Sequence, residues 1–337
     1  MKIFFPLLIV SIFLFSGCST SAAIPPETVI PQTLIPAKTS IPPTPTQLPV
    51  IGSTQVSSKD GMVMMYVPEG EFTMGMSADA ALAECQKFFT DCSRDWFTGE
   101  EPEHPVNLDA YWIDQTEVTN MMFRMFVNEI SYQTEAEKAG FSSVFTGSVW
   151  EQVNGADWQS PQGPNSNLTG LEDHPVVQVS WNDASAYCVW AGRNLPTIAQ
   201  WEKAARGTDK RSYPWENDPP AGNLVNFADS NTSFAWSNKI INDGYPFTSP
   251  VGSYPDGKSF YGAMDMAGNV REWVSDWYGS YVSGNVTNPQ GPSPGDYRVF
   301  RGGSWVSVTD FLRSAFRSSG NPVGSDDNVG FRCAFLH

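Results

Sequence analysis

The distribution of apolar residues divides the chain into three segments. Residues 1–17 have one lysine, then an apolar run of about thirteen residues and then small residues, which is typical of a secretory signal peptide and too short for a stable membrane span. Residues 18–54 are rich in proline and threonine, a composition that favours extended chain over a packed core. Residues 55–337 alternate short apolar stretches with glycine-rich turns, and we expect them to fold as one domain.

Cys18 directly follows the predicted signal peptide, in the string LFSGC, which resembles the bacterial lipobox. The resemblance implies that Cys18 is lipidated, and the proline-rich composition of residues 18–54 predicts a stalk behind it. An ordinary thiol in a cleaved leader is the alternative. Lipid, stalk and domain in this order predict an extracytoplasmic protein of the cell envelope, held at a membrane surface by its lipid anchor.

Local patterns predict short elements in the first part of the domain. Residues 62–75 (MVMMYVPEGEFTMG) form two apolar stretches around a Pro-Glu-Gly turn, a pattern that indicates two short strands. Residues 110–127 then pass from a strand pattern to a helical one, and Thr119 is the predicted helix N-cap.

Residues 174–207 carry the clearest helix signals. We expect a strand that runs into a helix ending at Gly192, then a second helix that opens with the capping box of Thr197 and Gln200 and ends near Gly207. Strand and loop signals dominate beyond that point, with many glycines, prolines, asparagines and aspartates. These patterns predict an α+β domain of irregular architecture with a low content of regular secondary structure.

The net charge and the histidine content exclude some classes of function. The net charge is −16, with 36 acidic and 20 basic residues, so we expect no nucleic-acid partner, because phosphate binding needs clustered Lys and Arg. The three histidines are His104, His174 and His337. None are four residues apart, which argues against a histidine-rich zinc or iron site. His104 and His174 each stand in an HPV triplet and are interpreted as structural.

Five segments resemble the signature blocks of the formylglycine-generating enzyme (sulfatase-modifying factor) family and occur in the same order. They are VSWNDASAYCVWAGRNLPTIAQWEKAARG, YPWEN, YGAMDMAGNVREWVSDWY, RVFRGGSW and NVGFRCAF. The resemblance spans roughly residue 62 to the C-terminus, and five linked blocks are far more specific than one short motif. It implies a single domain related to the C-type lectin fold.

Four cysteines lie beyond Cys18, an even number that is compatible with two disulfides in an exported protein. The resemblance implies that Cys188 pairs with Cys333. Cys85 and Cys92 lie in a segment without a clear counterpart in the family. We expect a local disulfide between them, and a reactive or metal-binding dithiol is the alternative.

Two groups of oxygen donors resemble structural calcium sites of the family, since calcium prefers mixtures of carboxylate and carbonyl oxygens. The first would use the side chains of Asp265 and Glu272 and the carbonyls of Gly268 and Val270. The second would use the side chains of Asn226 and Asp243 and the carbonyls of Phe227 and Tyr245. Asn and Asp side chains that only stabilise their own turns are the alternative interpretation.

The reaction of the family, oxidation of a substrate cysteine to formylglycine, uses copper(I) held by two cysteine thiolates. In the block RGGSWVSVTDFL this chain has Ser307 and Leu312 where the two cysteines belong. Neither side chain offers the soft sulfur that copper(I) needs, so we do not expect copper. Ser304 and Asn328 match polar residues that border the reaction pocket of the family, and hydrogen bonding within their own turns is the alternative.

These features predict a calcium-stabilised, non-catalytic binding module whose partner is a peptide, a glycan or an envelope protein. The alternative is an oxidoreductase of the same family that acts on a protein or thiol substrate. An iron-dependent sulfoxide synthase branch of the family relies on a histidine-rich site, which this sequence lacks.

Overall fold

Short strands and short helices alternate along residues 48–336, the part of the chain that the computed structural model describes. The predicted signal peptide, Cys18 and most of the predicted stalk lie outside this range. The α-helices of the described part are α1 (Ala78–Cys85), α2 (Asn120–Ile130), α3 (Glu135–Ala139), α4 (Trp181–Trp190) and α5 (Ile198–Arg206). The strands are β1 (Thr54–Val56), β2 (Val63–Val67), β3 (Gly70–Met74), β4 (His104–Leu108), β5 (Tyr111–Asp114), β6 (Phe141–Phe145), β7 (Trp150–Asn154), β8 (Arg271–Trp277), β9 (Val286–Thr287), β10 (Arg298–Arg301), β11 (Arg317–Gly320), β12 (Val329–Phe331) and β13 (Ala334–Leu336).

The strands of the described part form four small sheets. One four-stranded sheet has the order β1-β2-β5-β13 and is antiparallel throughout. The other has the order β11-β10-β8-β12, and β12 runs parallel to β8. A three-stranded sheet joins β3, β4 and β9, while β6 and β7 form a hairpin. Together with short helices and long irregular segments, these sheets confirm the predicted α+β class.

Most of the predicted local elements are present. The two strands around the Pro-Glu-Gly turn are β2 and β3, and the Thr119 hydroxyl caps α2 by accepting a hydrogen bond from the Met122 amide at 3.2 Å. Thr197 and Gln200 form the predicted capping box of α5.

The strand predicted ahead of α4 is wrong. Residues 174–180 are irregular apart from one bridge between Thr119 and Pro175, because Gln178 has a φ of 60°, which an extended strand does not allow. Helix α4 also stops at Trp190, two residues before the predicted end at Gly192.

Two apolar clusters form the centre of the domain. The first packs α2 and α4 against β12, with Phe123, Tyr187 and Phe331 fully buried. The second packs α5 against both four-stranded sheets, and Trp201 and Val274 are fully buried there. Replacement of such an aromatic core residue by alanine typically costs about 3–5 kcal/mol, so these clusters fix the relative positions of the loops that carry the candidate sites.

Both predicted disulfides are present in the structure. Cys188 of α4 bonds to Cys333, between β12 and β13, with an S–S distance of 2.06 Å. Cys85 at the end of α1 bonds to Cys92 with an S–S distance of 2.05 Å. Within residues 48–336, no helix has the length and apolar character needed to cross a membrane.

Candidate functional site

The loop after β10 brings Ser307, one of the two positions of the family cysteines, together with the predicted pocket residues Ser304 and Asn328. Gly302 and Gly303, with φ of 90° and 71°, turn the chain sharply at the end of the strand. The Ser307 hydroxyl then accepts a hydrogen bond from the Ser304 amide at 2.9 Å, and the Asn328 side-chain amide donates to the Ser304 hydroxyl at 3.0 Å. All three side chains are almost fully buried. Ser307 therefore serves as a hydrogen-bonding residue of a tight loop.

Leu312 ends the 3-10 helix Thr309–Leu312 and is fully buried. It belongs to an apolar cluster with Tyr213, Val225 and Phe227. Its methyl carbon Cδ2 would lie only 3.1 Å from a Cβ added at Gly303, so the leucine packs tightly against the loop that holds Ser307. The position of the second family cysteine is therefore occupied by a buried aliphatic side chain.

The donor set does not fit copper(I). Ser307 offers a hydroxyl, Leu312 offers no lone pair, and copper(I) selects thiolate or thioether ligands. The four cysteines of residues 48–336 form the two disulfides. No free thiolate of the described chain is therefore available for the reaction chemistry of the family.

A cavity of about 300 Å³ lies beside this loop. Tyr245, Phe247 and Trp305 provide aromatic walls, and Asp327 and Asn120 are also part of the lining. The Asp327 oxygen Oδ1 and the Asn120 oxygen Oδ1 are buried and accept no hydrogen bond from the described residues. Sequence reasoning missed both, because an Asp or Asn in a loop has no local pattern that reports an unpaired buried oxygen.

Asp327 is the carboxyl group that lines this cavity, alongside the titratable side chains of His174 and Tyr245. Its Oδ2 atom accepts hydrogen bonds from the Gln162 side chain at 2.8 Å and from the Phe145 amide at 3.2 Å. Burial nevertheless raises the pKa of Asp327 to about 7, because desolvation disfavours the carboxylate more than these donors stabilise it. The cavity thus combines aromatic surface with acceptors for hydrogen bonds.

The second predicted calcium group is arranged around two buried side chains. The Asn226 amide nitrogen donates to the Phe247 carbonyl at 2.8 Å, but its Oδ1 atom is buried without a partner in the described chain. Asp243 accepts from the amides of Phe227 at 2.9 Å and Tyr245 at 2.8 Å. Burial raises the pKa of Asp243 to about 6. An unpaired amide oxygen and a desolvated carboxylate are both suitable ligands for a hard cation.

In the first predicted calcium group, Glu272 already has partners. Its two carboxylate oxygens accept hydrogen bonds from Arg332, each at 2.7 Å, and Oε2 also accepts from the Trp201 indole at 2.7 Å. Glu272 and Arg332 are both fully buried. A calcium ion would have to share Glu272 with Arg332. Glu272 is therefore a less suitable calcium ligand than the sequence indicates.

Glu117 lies next to the same group. It is fully buried, and its Oε1 atom accepts a hydrogen bond from the Asn269 side chain at 3.1 Å. Burial is the main cause that raises the pKa of Glu117 well above its usual range, and the negative charge of the nearby Asp265 carboxylate is the second. Asp265 itself accepts from the Gly252 amide at 2.6 Å. Sequence reasoning missed Glu117 because no signature block contains it.

No three His, Cys, Asp or Glu side chains of residues 48–336 are arranged so that they could hold a metal ion. Both calcium predictions therefore depend on carbonyl and amide oxygens as well as carboxylates. The two histidines of the described part make local contacts: His104 opens β4 and its Nδ1 atom is 2.8 Å from the Pro102 carbonyl, and the Nδ1 atom of His174 is 2.9 Å from the Thr248 hydroxyl.

Comparison with known proteins supports the resemblance found in the sequence blocks. A family model described as the sulfatase-modifying factor enzyme 1-like domain matches residues 49–336. The formylglycine-generating enzyme of Mus musculus is 39% identical over 303 residues, covering 81% of this chain and 75% of that protein. The inactive C-alpha-formylglycine-generating enzyme 2 of Mus musculus is 36% identical over 307 residues, covering 83% and 88%. Among solved structures, PvdO from Pseudomonas aeruginosa has a similar fold, with a TM-score of 0.60 at 23% identity, covering 85% of this chain and 99% of that one.

Proposed function

Because the chain belongs to the family of sulfatase-modifying factor enzyme 1-like domains, we propose that it is a surface-anchored, calcium-stabilised binding module of that family without catalytic activity. The observation that carries the proposal is the position of Leu312, which is fully buried in an apolar cluster where the second catalytic thiolate would stand. A copper(I) site with two thiolate ligands cannot form there.

The aromatic cavity beside Ser304 supports the binding role. Cavities of this size with a few polar groups on apolar walls are typical of ligand sites. Its unpaired oxygens, on Asp327 and Asn120, accept hydrogen bonds, so a suitable partner presents N–H or O–H donors next to an apolar or aromatic group. A peptide segment of an envelope protein meets this requirement, and a glycan does so through its hydroxyls.

The alternative of an oxidoreductase needs a redox centre other than the thiolate pair. The described cysteines are joined in disulfides, which leaves this alternative without a candidate ligand set in residues 48–336. The similarity to a mouse protein described as an inactive member of the family fits the non-catalytic reading.

Catalysis is tested with a peptide of the form Cys-x-Pro-x-Arg, incubated with the full-length protein, copper and a reductant. We expect no formylglycine by mass spectrometry. The double variant Ser307→Cys with Leu312→Cys should gain stoichiometric copper, which would show that the loop can still hold the metal. Copper-dependent conversion by the unmodified protein would overturn the proposal.

Binding is tested by capture of partners from a native envelope extract. Phe247 lines the cavity and is 50% exposed, whereas Phe260 is 51% exposed and lies outside it. We expect Phe247→Ala to lose a partner that Phe260→Ala retains. Equal capture by the two variants would contradict a role of this cavity.

The anchor and the metal need separate measurements. Fatty-acid labelling should mark the protein and should disappear in Cys18→Ala, and labelling that survives this substitution would exclude Cys18 as the lipidated residue. Elemental analysis of the purified protein should find calcium without stoichiometric copper or iron, whereas stoichiometric copper or iron would favour the oxidoreductase.

A further inference from the structure

A second cavity, of about 460 Å³, lies between the loop of residues 279–292, the start of α5 and the end of β8. Apolar side chains of Met74, Ile198, Val286 and Pro292 form much of its wall. None of the predicted calcium, pocket or disulfide residues takes part in this lining. The cavity is therefore separate from the site discussed above, and its size suits a small organic molecule.

A buried carboxylate forms part of this wall. Asp276 is 1% exposed, and its Oδ2 atom accepts hydrogen bonds from the Ile198 amide at 2.8 Å and the Ser275 hydroxyl at 3.0 Å. Its Oδ1 atom is buried and has no partner in the described part of the chain. One oxygen thus stabilises the start of α5, and the other is available to a ligand.

The opposing loop leaves room at this oxygen. Gly291 has a φ of 71°, and a Cβ added there would lie 2.9 Å from Asp276 Oδ1. Even the smallest side chain would therefore crowd the unpaired oxygen. Glycine keeps this end of the cavity open and satisfies the left-handed backbone at the same time.

A second unpaired polar group lies in the same wall. The Tyr281 hydroxyl is buried without a hydrogen-bond partner in residues 48–336. Its ring is held under the Arg317 guanidinium, which lies 3.9 Å from the ring centroid. Arg317 itself donates to the carbonyls of Gly99 and Gly279, so two of its nitrogens are already bonded to the protein.

We propose that this cavity binds a small primary amine with an apolar body, whose ammonium group pairs with Asp276 Oδ1. A buried carboxylate oxygen without a partner is costly, and a cationic donor compensates for its desolvation better than a neutral one. The apolar wall takes the hydrocarbon part of the ligand, and the Tyr281 hydroxyl supplies a second hydrogen-bonding group. A divalent cation is a poor occupant, because calcium needs six or more oxygen ligands.

The proposal is tested with 2-phenylethylamine as the probe and 2-phenylethanol as its neutral counterpart. Burial raises the pKa of Asp276 to about 6, so calorimetric titration of the full-length protein at pH 8 keeps the carboxylate ionised. We expect the amine to bind at least ten times more tightly than the alcohol. Equal affinities, or no binding of the amine at millimolar concentration, would overturn the proposal.

Variants locate the binding. Asp276→Asn keeps an oxygen for the Ile198 amide and removes the charge, so it should weaken amine binding at least tenfold and leave the weak alcohol binding unchanged. Tyr281→Phe should weaken the amine severalfold. Tyr278→Phe is the matched control, because Tyr278 also stacks with Arg317 but does not line the cavity. Amine binding that survives Asp276→Asn in a protein with an unchanged melting temperature would refute the assignment.

Discussion

The buried ion pair of Glu272 and Arg332 offers the sharpest test of how the domain is stabilised. Arg332 is fully buried and donates two hydrogen bonds to Glu272, both at 2.7 Å. It also donates to the carbonyls of Asp114 and Gln115, each at 3.1 Å, and of Met264 at 2.8 Å. Replacement by methionine keeps much of the volume and removes every one of these donors.

We expect Arg332→Met to lower the free energy of unfolding by about 3–5 kcal/mol, the usual cost when one partner of a buried pair is removed. Among the described residues, Glu272 would keep only the Trp201 indole as a donor, and Glu117 and Asp265 would lose a neighbouring cation. The measurement is equilibrium unfolding in urea.

A matched control and a double variant make the result interpretable. Arg94→Met removes two exposed ion pairs, with Asp79 at 2.8 Å and with Glu101 at 3.0 Å, and it should change stability little because solvent screens such pairs. Arg332→Met combined with Glu272→Gln should recover part of the loss, since no unpaired carboxylate then remains at that position. A loss for Arg332→Met no larger than that for Arg94→Met would refute the reasoning.

Three further predictions concern the remaining groups. Replacing Cys188 and Cys333 by alanine opens a loop of 145 residues and should cost at most about 5 kcal/mol, clearly more in urea unfolding than loss of the seven-residue disulfide. Chelation should lower the melting temperature of the unmodified protein and have less effect on Asn226→Ala, since a calcium concentration of 100 times Kd stabilises by about 2.7 kcal/mol; identical responses would contradict the second calcium group. The folded protein holds the proton of Asp327 up to a pKa of about 7, above the value near 3.9 of an unfolded chain. The contribution of Asp327 to the free energy of unfolding is therefore complete below about pH 4 and is lost as the pH rises through 7. The total loss is at most about 4 kcal/mol. With Asp327→Asn, the free energy of unfolding should depend less on pH across this range, as measured by urea unfolding at several pH values.

The sequence predicts those parts of the fold that depend on neighbouring residues. The capping box of Thr197 and Gln200 and the N-cap of Thr119 are recognisable because their hydrogen bonds span only three residues. The strand predicted ahead of α4 is wrong for the converse reason. The apolar run HPVVQV suits a strand, but tertiary packing places Gln178 in the left-handed region.

The candidate sites are less accessible from sequence, because they join distant residues. Glu272 and Arg332 are 60 positions apart, and neither has a local pattern that reports the other. The same holds for the cavity of Asp276 and Tyr281, where the useful observation is an oxygen without a partner. The substitutions at Ser307 and Leu312 were recognisable only because a family block fixed the positions at which to look for thiols.

The last two strands have a consequence for how the chain matures. Strand β12 completes one four-stranded sheet and β13 the other, and Arg332 and Cys333 lie between them. Residues 329–336 are thus needed to complete both four-stranded sheets, the buried ion pair and the Cys188–Cys333 disulfide. The domain cannot reach its native state while the ribosome is still adding these residues, so a premature stop codon shortly before them should yield a chain that quality-control proteases degrade rather than a slightly shortened protein.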